Sequence, residues 1–266
     1  MNKLLNEEYL QSRLSYIGTG YKLLYEHELP STNDRALSDY MDGKISAPAV
    51  YLCDVQTKGK GRLGRVWESR EGSSLTFSVL MEPKCDLTSF PMLTEVYGLA
   101  ACRAVRKICG CDALIKWPND VVVKGRKICG ILTEMSYDMK CVVIGSGFNI
   151  LNGSYPKEMA EKAISLEEVS ETKPDPLEIL LGVLEEFDSL YRIFEETGNM
   201  KGLKEDYEAL LINKGMRTGL KSRDGEIKGT ALGIDDNGGL IFRKDDGCVI
   251  NVTSGEVSVS GVYGCK

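Results

Sequence analysis

The chain has 266 residues, 42% of them hydrophobic and 27% charged, enough to bury a core in one large domain or in a large and a small one. Its formal net charge of −6 excludes a general nucleic-acid surface, although a local basic loop can sit within an acidic protein. A single histidine, His27, with no G-x-S-x-G and no G-x-x-x-x-G-K-[ST], excludes the common histidine-assisted nucleophile systems and the P-loop phosphate cradle.

In chain order, residues 21–29 read as a strand, and Pro30-Ser31-Thr32-Asn33-Asp34 as the entry to a helix running toward Met41, since Ser, Thr, Asn and Asp all cap helices well. Residues 49–55 form a compact apolar strand around Val50, Leu52 and Val55. A loop from Gln56 to Trp67 follows, then another apolar strand over 75–81. Residues 90–109 carry helical spacing, with Leu93, Val96, Tyr97, Ala100, Ala104 and Ile108 on one broad face and Gly110 as the stop. From Ala113 the pattern becomes a meander of strands over 114–117, 121–124, 127–135 and 140–150. Their short separators predict antiparallel neighbours. A short turn of helix is expected near 158–162. Asp175-Pro176-Leu177-Glu178 matches a helix start, whose buried stripe runs through Leu180, Leu184, Phe187, Tyr191 and Phe194 to Gly198. A short helix over 203–211 leads into β-like runs from 214 to 266, turning at Arg223-Asp224-Gly225, Asp236-Asn237-Gly238-Gly239 and Asp245-Asp246-Gly247. A segment of about 50 residues is near the lower limit for independent folding, so this small β-barrel should dock on the main domain.

The nine cysteines, at 53, 85, 102, 109, 111, 129, 141, 248 and 265, contain no C-x-x-C pair, which with one histidine argues against a zinc site. Cys109-Gly110-Cys111 is the one pair spaced to chelate; the plainer reading is reduced thiols in a cytoplasmic chain. No signal-peptide pattern opens the sequence, and no apolar run approaches membrane-spanning length.

Short segments offer chemistry. In the loop from Gln56 to Trp67, Lys58, Lys60, Arg62 and Arg65 alternate with Gly59, Gly61 and Gly64. Glycines let backbone N–H groups approach an anion and Arg forks match phosphate oxygens, but the same composition also suits a solvated surface loop. Lys116-Trp117-Pro118-Asn119-Asp120 is either hairpin chemistry or a set holding a cation, an apolar wall and a magnesium ligand. Lys127 starts an otherwise apolar strand, as an edge gatekeeper or as a cation serving an anion. Gly145-Ser146-Gly147 implies close approach of something to the sheet, and is weak evidence for a nucleotide.

Taken together and in this order, Ser31-Thr32-Asn33, the glycine/arginine loop, the Lys116–Asp120 run, Arg126-Lys127-Ile128-Cys129-Gly130-Ile131-Leu132 and Gly145–Asn149 resemble the biotin–protein ligase family, including the catalytic parts of bifunctional biotin repressors and holocarboxylase synthetases. The resemblance covers nearly the whole chain. It implies an α+β fold with a mixed, largely antiparallel sheet and packed helices, like the class II synthetase core, over 1–212, and an SH3-like β-barrel over 213–266. It implies that biotin and Mg·ATP form biotinyl-5′-AMP and pyrophosphate, and that an acceptor lysine then takes the biotinyl group and releases AMP. No side-chain nucleophile is required, in keeping with the lone histidine.

Carried over by position, the resemblance assigns Ser31, Thr32 and Gln56 to the ureido end of biotin, with Asn33 in the same element, where its other role is helix capping. Lys60, Gly61 and Arg62 close over the ligand, Gly130 and Leu132 wall the pocket, and Lys127 and Arg62 are the catalytic cations. Arg62 and Arg65 lie near phosphate, Trp67 and Asn149 contact adenine, and Asp120 serves the magnesium or ribose side. One departure is Lys60, where the family commonly has arginine; a backbone role there makes lysine harmless. Roughly 20 residues precede the first catalytic strand, too few for a helix-turn-helix module, so the expectation is a ligase that does not bind operator DNA. The implied partner is a biotin carboxyl carrier protein or domain of a biotin-dependent carboxylase, and family members can pair as homodimers. The rival readings are a lipoate–protein ligase, whose ligand lacks the ureido group, and a biotin-sensing protein without turnover.

Overall fold

A computed structural model describes residues 7–16, 20–68, 70–222 and 225–263. Arg223 and Asp224 of one expected turn, and Cys265, lie outside them. Helix α1 (Glu7–Tyr16) packs on strand β1 (Lys22–Leu29), and α2 (Thr32–Met41) follows. Ser31 starts α2: in an extended conformation its hydroxyl accepts from the Asp34 amide (3.4 Å). Strands β2 (Ala49–Gln56) and β3 (Ser74–Met81) flank the basic loop. Helix α3 (Leu93–Cys109) starts later than its periodicity suggests, because residues 87–92, with Pro91 among them, form a tighter 3₁₀ turn. It ends at Gly110 in the left-handed conformation (φ 65°).

The meander is β4 (Leu114–Lys116), β5 (Asp120–Val123), β6 (Arg126–Met135) and β7 (Val142–Asn149). The turn expected at 158–162 is a 3₁₀ turn at Lys157–Met159. Helix α4 (Pro176–Thr197) has Asp175 as N-cap and Gly198 as left-handed C-cap, and α5 (Lys204–Ala209) is short.

These strands form a seven-stranded sheet in the order β1-β2-β3-β7-β6-β5-β4. Every neighbouring pair is antiparallel except β1 and β2, which run parallel because α2 returns the chain between them. Alternation along the strands divides the side chains. In β2, Val50 and Leu52 face the main core under α3 and α4, whereas Ala49 and Tyr51 pack with Ala36 of α2 on the other face. Phe77 stacks on Phe148 at 6.1 Å, and Tyr97 of α3 meets Phe187 of α4 edge-on at 5.2 Å.

The C-terminal strands β8 (Arg217–Ser222), β9 (Gly225–Ile234), β10 (Leu240–Lys244), β11 (Val249–Val252) and β12 (Glu256–Val259) make a five-stranded antiparallel sheet in the order β11-β10-β9-β8-β12. It is anchored to the larger unit by one indole and by backbone. The Trp117 indole donates to Gly238 O (3.0 Å), Met200 N to Asp236 O (2.8 Å) and Tyr263 N to Gly125 O (2.8 Å). Cysteines 53, 85, 102, 109, 111, 129, 141 and 248 are all free thiols. Among the described residues no helix is long and apolar enough to cross a membrane.

Candidate active site

The N-terminal turn of α2 lies over the middle of the sheet, and its polar run is spent on specific partners. Thr32 donates from its amide (2.8 Å) and its hydroxyl (3.1 Å) to Gln56 Oε1, which fixes the Gln56 amide at the end of β2. Ser78 Oγ lies 2.6 Å from both Thr32 Oγ1 and Asn33 Oδ1. Asn33 Nδ2 reaches across to Leu132 O (3.2 Å) and Glu134 Oε2 (2.7 Å), and its amide occupies the space that a Cβ at Gly145 would take. Asn33 therefore ties α2 to the sheet, and the cap itself is Ser31.

The basic loop folds back on itself. Trp67 N donates to Gly59 O (3.0 Å), Gly61 N to Arg65 O (2.7 Å), and Lys60 bridges to Val66. Its cations diverge. Lys60 pairs with Asp34 and stands 3.8 Å from Glu134, Arg65 pairs with Glu256, and Arg62 donates to Asn119 Oδ1 (3.1 Å) and Gly255 O (3.4 Å). Burial pushes the Arg62 guanidinium pKa down, with Asp120 and Glu95 opposing it. Trp67 lies on the sheet: a Cβ at Gly147 would overlap its indole, and one at Gly130 would stand 3.4 Å from it. These strand glycines serve close approach of a protein side chain.

Lys127 is not at an open edge. Its amide donates to Lys162 O (2.7 Å), and its carbonyl accepts from Ile164 N (3.0 Å) and from Asn149 Nδ2 (3.1 Å). The ammonium sits 2.6 Å from Asp120 Oδ1 and 5.6 Å from the Trp67 ring centre. Asp120 Oδ2 accepts from Tyr263 Oη (2.6 Å). Burial alone would raise the Asp120 carboxyl, but the Lys127 and Lys116 charges, with the Lys127 and Tyr263 hydrogen bonds, hold it below the ordinary carboxylate value.

Two adjoining cavities result. The narrower is lined by Ser31, Thr32, Asn33, Gln56, Lys60, Gly61, Arg62, Lys127, Gly130 and Leu132, together with Trp67, Thr76, Asn119 and the Gly145–Gly147 stretch. The wider, about 580 Å³, takes in Arg62, Arg65, Trp67, Asp120 and Asn149 with Lys116, Tyr155, Lys162, Glu256 and Tyr263. Gly61, Arg62, Trp67, Asn119 and Lys127 line both. The structure thus brings every residue assigned to biotin around the first space and every one assigned to the adenylate around the second.

Trp117 goes elsewhere. Its indole is fully buried against the 238 turn, so it holds the C-terminal sheet and walls neither cavity. Thr76 is a lining residue that strand patterning hid: among the described residues its buried hydroxyl has no hydrogen-bond partner, and neither has Trp67 Nε1. A hydroxyl in an apolar strand was its only signal. Asn119 and Lys116 belong to a motif already singled out, whereas nothing in the sequence marks Tyr263. No group of three or more His, Cys, Asp or Glu able to hold a metal occurs among the described residues, and both oxygens of Asp120 are engaged. The described residues gather no carboxylate cage for magnesium.

This architecture defines a class. Residues 26–149 match the Biotin/lipoate A/B protein ligase family, and residues 216–260 match the Biotin protein ligase C terminal domain. The bifunctional ligase/repressor BirA of Bacillus spizizenii is 33% identical over 250 residues, spanning 91% of this chain and 76% of that protein. The biotin–[acetyl-CoA-carboxylase] ligase of Mycobacterium tuberculosis is 29% identical over 259 residues, 95% of each chain. Among solved structures, a biotin protein ligase from Aquifex aeolicus in complex with biotin and ATP superposes with a TM-score of 0.77 at 31% identity, covering 90% of this chain and 98% of that one. The chain belongs to the biotin protein ligase family.

Proposed function

We propose that the narrower cavity holds biotin, the wider one holds ATP as its magnesium complex, and the wall they share is where the biotin carboxylate meets the α-phosphate. ATP-dependent ligation of biotin to protein is the activity of the family and of this chain. What carries the site assignment is the shared wall, which contains Lys127 and Arg62. Two anions repel as they approach, and fixed cations between them lower that barrier and stabilise charge on the phosphoryl oxygens.

In this reading Thr32 and Gln56 orient the ureido ring, with Ser31 and Asn33 fixing the helix turn that carries them. Lys60 and Gly61 close the loop by backbone, and Gly130 and Leu132 form the floor. Arg65, Trp67 and Asn149 border the nucleotide. Magnesium arrives on the triphosphate rather than in a resident site, with Asp120 beside it as the partner of Lys127. Residues 1–212 form the catalytic unit and 213–266 the C-terminal unit. The acceptor is a lysine of a biotin carboxyl carrier domain, which enters from the open side of the wider cavity, and the compartment is the cytoplasm.

The test is to incubate the protein with ATP, magnesium, biotin and a carrier domain and weigh the carrier, with pyrophosphate exchange run in parallel on biotin and lipoate. Carrier gaining one biotinyl group, and exchange driven by biotin alone, is the expected result. Exchange driven by lipoate alone would sink the assignment of the Thr32–Gln56 pair.

A further inference from the structure

The C-terminal unit places one side chain inside the catalytic hydrogen-bond network. Tyr263, four residues beyond the end of β12, is held on three sides. Its amide donates to Gly125 O (2.8 Å) in the β5–β6 turn. Its ring packs with Val122, Val259 and Val262, and the Lys116 ammonium stands over it at 4.9 Å. Its hydroxyl donates to Asp120 Oδ2 at 2.6 Å, while Asp120 Oδ1 faces Lys127 Nζ at the same distance. Gly125 permits this approach: at φ 71° it adopts the left-handed conformation, and a Cβ there would stand only 2.5 Å from Gly261 O.

We propose that Tyr263 is a positioning residue for adenylation, setting the Asp120 carboxylate so that it holds the Lys127 ammonium on the wall between the two cavities. A lysine has a long flexible stem, and a cation stabilises a transition state only if it is already in place when charge develops. A carboxylate with one oxygen on Lys127 and the other free to rotate or to take up water holds that cation loosely. The phenol occupies the second oxygen and defines the carboxylate plane. It also draws charge from Asp120, which leaves Lys127 less fully neutralised and better able to serve a substrate anion. The C-terminal sheet is thereby a working part of the adenylation site.

The inference rests on the reading of Lys127 given above, so the experiment measures both. Biotin-dependent pyrophosphate exchange is compared for the full chain and for Tyr263→Phe, Asp120→Asn, the double variant and Lys127→Ala. Phenylalanine keeps the ring and its packing and removes only the hydroxyl. The expected result is a fall in kcat of about tenfold for Tyr263→Phe with KM for biotin and ATP unchanged, and no further fall when it is added to Asp120→Asn, because residues acting through one another are not additive. Wild-type kcat in Tyr263→Phe, or an additive loss in the double variant, overturns the positioning role while Lys127→Ala still shows its large loss. Wild-type exchange by Lys127→Ala overturns the reading of the site and this inference with it.

Discussion

Lys127 and Lys60 are both loop- or strand-borne cations at the cavity, and their surroundings separate their roles. The Lys127 stem leaves a backbone fixed by three hydrogen bonds, and its ammonium lies between Asp120 and the Trp67 face. Replacing it with alanine removes a preorganised cation and leaves Asp120 buried with one donor, so kcat for adenylation should fall by about 10²–10³-fold while the protein still binds biotin calorimetrically. Lys60 instead turns away to Asp34 and Glu134 on a surface where it is 42% exposed and Asp34 46%. Exposed pairs of this kind contribute about 0–1 kcal/mol, so Lys60→Ala should weaken biotin binding by no more than about fivefold. A larger loss would instead mean that the side chain touches ligand.

At the scale of elements, the basic loop and the glycines of β6 and β7 form one device. Trp67 closes the loop onto the sheet, and the missing side chain at Gly147 makes room for its indole, as the one at Gly130 does for the Lys127 ammonium. Gly147 carries no left-handed backbone requirement, so the strand accepts the backbone of alanine there and the first clash is with the ring. Gly147→Ala should displace Trp67, raise KM for both biotin and ATP by roughly tenfold through loss of positioning, and speed tryptic cleavage within 58–65. Unchanged KM values with unchanged proteolysis would show that the loop closes without the tryptophan.

Much of this organisation was legible locally. The Asp175 cap, the Gly110 and Gly198 stops and the β4–β7 meander follow from propensity and period, whereas four adjacent residues at 31–34 could each have capped α2 and packing selects Ser31. The parallel β1–β2 pairing was not, since it depends on how α2 packs, nor was Trp117, whose motif neighbours face the cavity while its own indole turns to Gly238. Thr76 and Tyr263 escaped because their roles come from residues distant in sequence.

Across the whole molecule, the two units meet around a buried carboxyl. Glu95 of α3 is 7% exposed, and its Oε2 has no hydrogen-bond partner among the described residues. Gly238, left-handed at φ 77°, lets the C-terminal turn close on Met92 and Glu95, and the Tyr207 phenol of α5 is pushed up by burial and further by the Glu95 charge. Burial raises the Glu95 carboxyl from 4.5 to about 8, with its own backbone and the Arg62 charge opposing. The folded protein therefore keeps a proton that the unfolded chain releases above about 4.5, and this favours folding only while the proton is on. The stabilisation is full below 4.5, declines as pH rises toward 8, and beyond that the fold carries a buried charge next to the domain junction. Glu95→Gln keeps the shape and removes the titration. Its melting temperature should match the wild type near pH 5 and exceed it by on the order of 5 °C near pH 9. Parallel melting curves at both pH values would show that folding does not shift the Glu95 carboxyl.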